Sequence, residues 1–313
     1  MSISKCNNNL HTARSEKNDE FYTQLSDIER ECSRYINQFK DKVIFLNCDD
    51  PEESNFWLFF SLNFKKFGLK KLISTHYDKH KPSYMLELTG ETNKNGTLKS
   101  PTKTNLSQNG DFRSPECVEI LKEADIVITN PPFSLFREYV AQLIDHGKKF
   151  LIVGNRNALT YKEIFQLIMH QKIWLGYPFK GGNAFFSTPN PKDFAKGVYD
   201  EASGLVKFRN ISWFTNLEVQ KRQDDLMMYC NYYGNEDKYP SYDNYNIINV
   251  SKISQIPMDY DGIMGVPITF LDSHNPDQFE IIGLANSARW IGHECLTIIN
   301  NKKIYNRILI IRK

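Results

Sequence analysis

Apolar positions along the first half of the chain alternate between two spacings, one helical and one strand-like. In DIERECSRYINQF (27–39), residues Ile28, Cys32, Tyr35, Ile36 and Phe39 fall at helical intervals. KVIFLN (42–47) is a short apolar run and predicts a buried strand. Asp50 then reads as a helix cap, with Pro51 at the first helical position and Glu52 and Glu53 near the positive end of the helix dipole. That helix carries Phe56, Phe59, Phe60, Phe64 and Phe67 and stops at Gly68. KKLISTHY (70–77) predicts a second strand. Residues 78–110 break the rhythm: YMLELTG, KNG and TLKS suggest a hairpin, and the polar PTKTNLSQNGD follows, so this stretch reads as an excursion from the core. Alternation resumes with a helix over 114–123, the strand ADIVIT (124–129), a helix after Asn130-Pro131-Pro132, the strand KKFLIVG (148–154), a helix over 159–171 and the strand IWLGY (173–177). Fully apolar strands separated by helices imply an α/β protein whose mostly parallel sheet is covered by helices on both faces.

Past residue 180 the pattern changes. NAFFSTP (183–189) and ISWFTNL (211–217) read as strands with no helix between them, which predicts antiparallel pairing of the two at a sheet edge. From 221 the chain is rich in Tyr, Asn and Asp. The expected division is therefore 1–218 as one domain, including the 78–110 excursion, and 219–313 as a smaller C-terminal region.

Composition narrows the classes. With 39 Lys plus Arg against 37 Asp plus Glu, a formal charge of +2 and 41% hydrophobic residues over 313 positions, the chain is neither a disordered tail nor a polycation. Any basic face must be local. Candidates are Lys65, Lys66, Lys70 and Lys71; Arg209; and Lys302, Lys303, Arg307 and Arg312, each of which taken singly reads better as a solvated helix face or strand edge, together with Lys180, Gly181 and Gly182, which read equally as a plain turn. No run of about 18 apolar residues points to a membrane span, and the first twenty residues lack a secretory apolar core. The six cysteines are scattered singly, so no zinc site is expected and a reducing cytoplasm is the natural setting. Aromatic residues make up 13% of the chain, and they serve equally well as core or as stacking faces for bases.

The segment with most chemistry is Asn130-Pro131-Pro132-Phe133, directly after an apolar strand. Ligands of open parallel sheets sit off the carboxyl ends of strands. The prolines fix the backbone and remove N–H donors. An Asn side-chain oxygen beside a rigid carbonyl gives two acceptors able to hold both hydrogens of an exocyclic amine, and Phe133 offers a flat ring. Taken alone, the tetrapeptide equally reads as a helix cap; the strand before it favours a ligand site. Asp111-Phe112, after Asn-Gly, can accept from an adenine amino group and lie against its ring, or simply cap the following helix. Asp19-Glu20-Phe21-Tyr22-Thr23 suits helix entry. Asn47-Cys48-Asp49-Asp50-Pro51 with Ser54 and Asn55 occupies the turn where a Rossmann-type sheet places a glycine-rich loop, yet no Gly-x-Gly is present.

Together DEFYT (19–23), NCDDPEESNF (47–56), FGLKKLI (67–73), GDFRS (110–114), DIVITNPPFSLFREY (125–139), KIWLG (172–176), YPSYDNYNIINV (239–250), DGIMGVPITFL (261–271) and HNPDQFEIIG (274–283) resemble the EcoRI-type adenine-specific DNA methyltransferases. The resemblance implies a class I, Rossmann-like methyltransferase sheet with a C-terminal target-recognition region. It implies S-adenosylmethionine as cofactor and adenine N6 in double-stranded DNA as the target, reached by base flipping and direct displacement without a metal. By the same resemblance Asn130, Pro131, Pro132 and Phe133 are catalytic. Phe21, Tyr22, Thr23, Asn47, Cys48, Asp49, Asp50, Ser54, Asn55, Asp111, Phe112 and Asn130 hold the cofactor. The choice between Asp49 and Asp50 stays open, as does the acid for the cofactor's ribose, for which Asp78 stands at the right place but also reads as a loop residue. A monomer is implied, with or without a cognate restriction endonuclease. The competing readings are methylation of RNA adenine or of a protein glutamine amide, and a nucleic-acid-binding module without catalysis.

Overall fold

The computed structural model describes residues 21–48, 50–78, 82–188, 194, 197–285 and 296–313. They fall into two compact units, one from 1–158 with 176–217 and the other from 159–175 with 218–313.

The first unit is built on β1 (Tyr22–Thr23), β2 (Val43–Leu46), β3 (Lys71–Thr75), β4 (Tyr84–Thr89), β5 (Thr102–Asn105), β6 (Ile126–Thr129), β7 (Lys149–Asn155), β8 (Asn183–Ser187), β9 (Leu205–Arg209) and β10 (Ile211–Thr215). Its helices are α1 (Leu25–Cys32), α2 (Ile36–Phe39), α3 (Asn55–Leu62), α4 (Phe64–Phe67), α5 (Pro115–Glu123) and α6 (Phe136–Asp145). Within this unit the main sheet runs β5-β4-β3-β2-β6-β7-β10. Its centre is parallel, β3 with β2, β2 with β6 and β6 with β7. All four residues of β2 and of β6 are buried, as expected of strands covered on both faces.

Both flanks differ from the mostly parallel sheet expected. Residues 78–110 supply β4 and β5, the expected antiparallel hairpin, but β4 pairs with β3, so the hairpin continues the sheet edge. The polar TKTN of β5 escaped the pattern because it is an edge strand exposed at every position. On the other side, 183–187 and 211–215 do not pair with each other. β10 runs antiparallel to β7, while β8 pairs with β9 and β1 in a separate sheet. Asn210 makes this possible: at φ 60° it turns the chain sharply between β9 and β10, and Asn tolerates the left-handed region better than most residues. The helix expected over 27–39 is broken between Cys32 and Ile36. The phenylalanine helix is broken at Asn63, although Phe56, Phe59, Phe60, Phe64 and Phe67 are all buried as the spacing required.

The second unit contains α7 (Lys162–Met169) and a sheet in the order Ile248–Asn249, Met264–Pro267, Arg307–Arg312, Phe279–Ala285. Of the tyrosines that composition left unassigned, Tyr239 and Tyr242 are buried, whereas Tyr229 and Tyr233 face solvent. His274 is buried, with Nε2 3.0 Å from the Phe279 carbonyl and its ring against Phe270. Burial pushes its pKa down from 6.5 to about 4. The folded chain thus keeps His274 neutral where the unfolded chain takes up a proton. Its contribution is complete above about pH 6.5 and is lost progressively as the pH falls to about 4, to a total of about 3 kcal/mol. Urea unfolding at pH 7 and pH 4.5 should show His274→Gln losing less stability across that interval than the parent chain. An equal loss in both refutes this.

No helix among the described residues is long and apolar enough to cross a membrane, and no group of three or more His, Cys, Asp or Glu is placed to hold a metal.

Candidate active site

β6 ends at Thr129. The chain then passes through Asn130, Pro131 and Pro132 into a single turn, Phe133–Leu135, and on into α6. The two prolines limit the backbone just where strand must become helix. Asn130 is buried and its Nδ2 donates to the Phe21 carbonyl at 2.5 Å. Beside it, the Thr129 hydroxyl donates to the Asn47 carbonyl, and the Tyr139 hydroxyl of α6 donates to Asn47 Oδ1. Asn55 Nδ2 donates to the Thr23 carbonyl at 2.8 Å. The carboxyl ends of β2 and β6 and the segment 21–23 are therefore joined by side-chain amides and hydroxyls at one rim of the sheet.

Phe133 is half-buried and stacks on Phe21, with centroids 6.3 Å apart and planes 20° from parallel. Phe186 of β8 and Phe208 of β9 close the group: Phe208 lies 4.7 Å from Phe21 and 6.2 Å from Phe133, nearly perpendicular to both. Sequence reasoning singled out Phe21 and Phe133 but missed Phe186 and Phe208. Their alignment depends on the register in which Phe208 pairs with Ala184 and Val206 with Phe186, putting both rings on one face of the β8–β9 ribbon within their sheet.

The turn after β2 has no glycine, yet Cys48 adopts φ 75°, the left-handed conformation a glycine would supply. Asp49 lies outside the described residues. The helix does not start where expected. Ser54, not Asp50, is the cap, accepting from the Phe56 N–H at 3.1 Å, while Asp50 Oδ1 accepts from the Glu52 N–H at 2.9 Å in a tight turn of its own. Three residues of turn thus separate Pro51 from the helix, and the Ser54 hydroxyl is engaged with it.

Gly110 has φ 79°, and a Cβ there would stand 1.9 Å from the His76 carbonyl oxygen, so the turn before Asp111 is pressed against the end of β3. Both carboxylate oxygens of Asp111 accept from Arg113, from Nε at 2.9 Å and Nη2 at 2.7 Å, and the Arg113 N–H adds a third bond at 2.9 Å. Burial raises the Asp111 pKa, but the Arg113 bonds outweigh it and hold the carboxyl below its usual range. Phe112 is buried edge-on against Tyr139 at 5.0 Å. Asp78 is held by its N–H to the Asn109 carbonyl at 2.9 Å.

Two polar atoms in this rim, Thr23 Oγ1 and Asn47 Nδ2, are buried with no hydrogen-bond partner among the described residues. Each such atom costs about 1–3 kcal/mol when left unsatisfied, so they favour a ligand carrying polar groups.

Of the basic candidates, Lys180, Gly181 and Gly182 form an exposed turn leading into β8, and exposed Arg209 pairs in register with Asn183 at the same end of the ribbon. Lys71 is otherwise engaged, 2.8 Å from both Glu87 and Glu123, and Arg312 pairs with Asp261 at 2.7 Å. Lys302 and Lys303 are exposed on a short hairpin.

A buried asparagine and two prolines in the turn off the carboxyl end of a parallel strand define the class first, an α/β fold of the kind that binds ligands at its strand ends. Residues 9–313 match the family described as adenine-specific methyltransferase EcoRI. The chain is 44% identical to the Type II methyltransferase M.EcoRI of Escherichia coli, covering all of this chain and 99% of that protein. It is 42% identical to M.MpnI of Mycoplasma pneumoniae and to M.MgeORF184P of Mycoplasma genitalium, in each case over 88% of this chain and 86% of the relative. The chain belongs to the EcoRI family of adenine-specific methyltransferases. No solved structure matches it.

Proposed function

We propose that this chain methylates adenine N6 at a specific sequence in double-stranded DNA, using S-adenosylmethionine on a class I, Rossmann-like sheet. The observation that carries the reading is Asn130. It is buried at the end of β6, and its amide is held by donation to the Phe21 carbonyl. With Nδ2 so engaged, what the side chain offers a target amine is its Oδ1 acceptor, beside the Pro131 carbonyl. Two acceptors on one amine orient its lone pair, which is the main task in a direct displacement.

When bound, S-adenosylmethionine supplies a methyl group on a positively charged sulfur. Residues 21–23, 47–55 and 111–112 would hold it, and the unsatisfied Thr23 Oγ1 and Asn47 Nδ2 suit its polar groups. An adenine within a duplex is out of reach and has to leave the stack, at a cost of a few kcal/mol. Phe133 stacks on the extruded ring and Asn130 with Pro131 receives its N6. Lys180, Gly181, Gly182 and Arg209 meet the DNA backbone, and the unit containing 218–313 carries the residues that choose the sequence. The protein works as a monomer in the cytoplasm, alongside a restriction enzyme of the same specificity where one exists.

Incubation with methyl-labelled cofactor and duplex DNA should place the label on N6 of adenine within one short sequence. Label in RNA or in protein instead, or none at all, overturns the proposal. Phe133→Ala should weaken productive binding of target DNA about 10- to 100-fold, the range for losing one base–aromatic stack. Phe133→Tyr, which keeps the ring, should stay within a few-fold in the same titration.

A further inference from the structure

A group of titratable side chains beside this rim has no role in the mechanism above. His76 follows β3 directly. Its Nε2 lies 3.4 Å from Asp50 Oδ2 and its Nδ1 2.6 Å from Ser83 Oγ. The ring stacks on Tyr84 at 4.8 Å with planes 7° apart, and its own backbone is tied down by the Ser83 hydroxyl on its carbonyl and by donation to the Tyr84 carbonyl. Gly110 is packed against that same carbonyl. His76 therefore connects four segments, its ring the turn after β2 and the start of β4, and its backbone the end of β3 and the turn before Asp111.

We propose that Asp50 is the carboxylate that takes the ribose hydroxyls of the bound cofactor, and that His76 is the positioning residue that holds it there. This rests on the reading of the chain as an S-adenosylmethionine enzyme. Asp50 stands in the turn off β2, and β2 is the parallel neighbour of β3, so the acid and His76 face one another across adjacent strand ends. A carboxylate has about four acceptor positions. The Glu52 N–H occupies one and His76 faces another, which leaves capacity for a vicinal diol. Of the other acids nearby, Asp111 is committed to three bonds from Arg113 and Glu52 to Lys103 at 2.8 Å, which leaves Asp78 as the rival. Lys103 also lies over the Tyr84 ring at 3.5 Å. The Tyr84 phenol beside them is pushed up by burial first and then by the negative charges of Asp50 and Glu52.

The test is calorimetric binding of S-adenosylhomocysteine and its 2′,3′-dideoxy counterpart to the full-length chain. The parent should lose about 10- to 100-fold in affinity when the hydroxyls are removed, the range for hydrogen bonds to a charged group. In Asp50→Asn, which keeps the acceptor for Glu52, that discrimination should shrink to about threefold or less. His76→Phe keeps the stacked ring but no donor and should move toward Asp50→Asn. His76→Gln, whose amide reaches the place of Nε2, should restore discrimination, whereas His76→Asn, which reaches only the place of Nδ1, should not. Undiminished discrimination in Asp50→Asn overturns the proposal, as does its loss in Asp78→Asn instead. Equal behaviour of the Gln and Asn variants refutes the role given to His76. A parent chain that binds neither ligand refutes the cofactor reading itself.

Discussion

Asn130→Ala is expected to lower methyl transfer by at least about 10³-fold while S-adenosylhomocysteine still binds, because a group that acts by holding the reacting amine is lost with no replacement in the pocket. The variant removes two things at once, the Oδ1 acceptor and the Nδ2 bond to the Phe21 carbonyl. Loss of the second costs stability of about 1–2 kcal/mol and loosens the segment carrying Phe21, Tyr22 and Thr23. The two effects separate by measurement. A loosened segment raises the dissociation constant for S-adenosylhomocysteine and lowers the unfolding midpoint, whereas a missing acceptor lowers kcat at saturating cofactor and DNA. The expected pattern is a collapse of kcat with ligand affinity changed by only a few-fold. Activity near that of the parent would remove Asn130 from the chemistry.

The parallel centre of the fold was legible because its strands are buried on both faces and read as continuous apolar runs. VIFL and IVIT needed no partner to be recognised. The flanks were not legible, for physical reasons. β5 is a polar edge strand whose assignment rests entirely on hydrogen bonds to β4, and the exchange of β8 and β10 between sheets depends on one left-handed Asn210. Long-range charge pairing was equally hidden. Glu31 is not among the apolar positions that define its helix, yet it is buried and accepts from the Tyr35 hydroxyl at 2.8 Å and the Tyr177 N–H at 3.0 Å. Lys71 looked like a free basic residue until Glu87 and Glu123, one across a strand and one on α5, were brought to it.

The site divides in the same way. Asn130 and Phe133 were found because strand, prolines and aromatic are contiguous. Phe186 and Phe208 were missed because they meet the others only through a register between β8 and β9, and His76 because its partners lie seven or more residues away in either direction. The aromatic excess therefore has two destinations. Phe39, Phe59, Phe60 and Phe67 interlock as core, with neighbouring ring centroids between 5.1 and 6.1 Å apart, and Phe56 packs edge-on against Trp213. Phe21, Phe133, Phe186 and Phe208 gather where the buried amide of Asn130 emerges.

Gly110→Ala should be the most damaging single methyl group in the first unit, costing about 3–5 kcal/mol and most of the cofactor affinity. Two independent penalties coincide there. The backbone sits at φ 79°, which an alanine occupies only with strain, and the added Cβ would stand 1.9 Å from the His76 carbonyl oxygen, a contact with backbone that no side-chain rotation relieves. Relief requires the turn before Asp111 to move away from the end of β3. That displaces Asp111 and Phe112 from the position in which Arg113 and Tyr139 hold them, and it pulls His76 from Asp50. A comparison with Gly181→Ala isolates the second penalty. Gly181 has a similar φ of 66° but open space around its Cβ position, so its cost should be the strain alone, about 1–2 kcal/mol, with S-adenosylhomocysteine binding unchanged. Denaturant unfolding and calorimetry on the two variants check both numbers. Equal destabilisation at the two positions would show that the packing against His76 contributes nothing, and that the adenosine side of the site is not built on this contact.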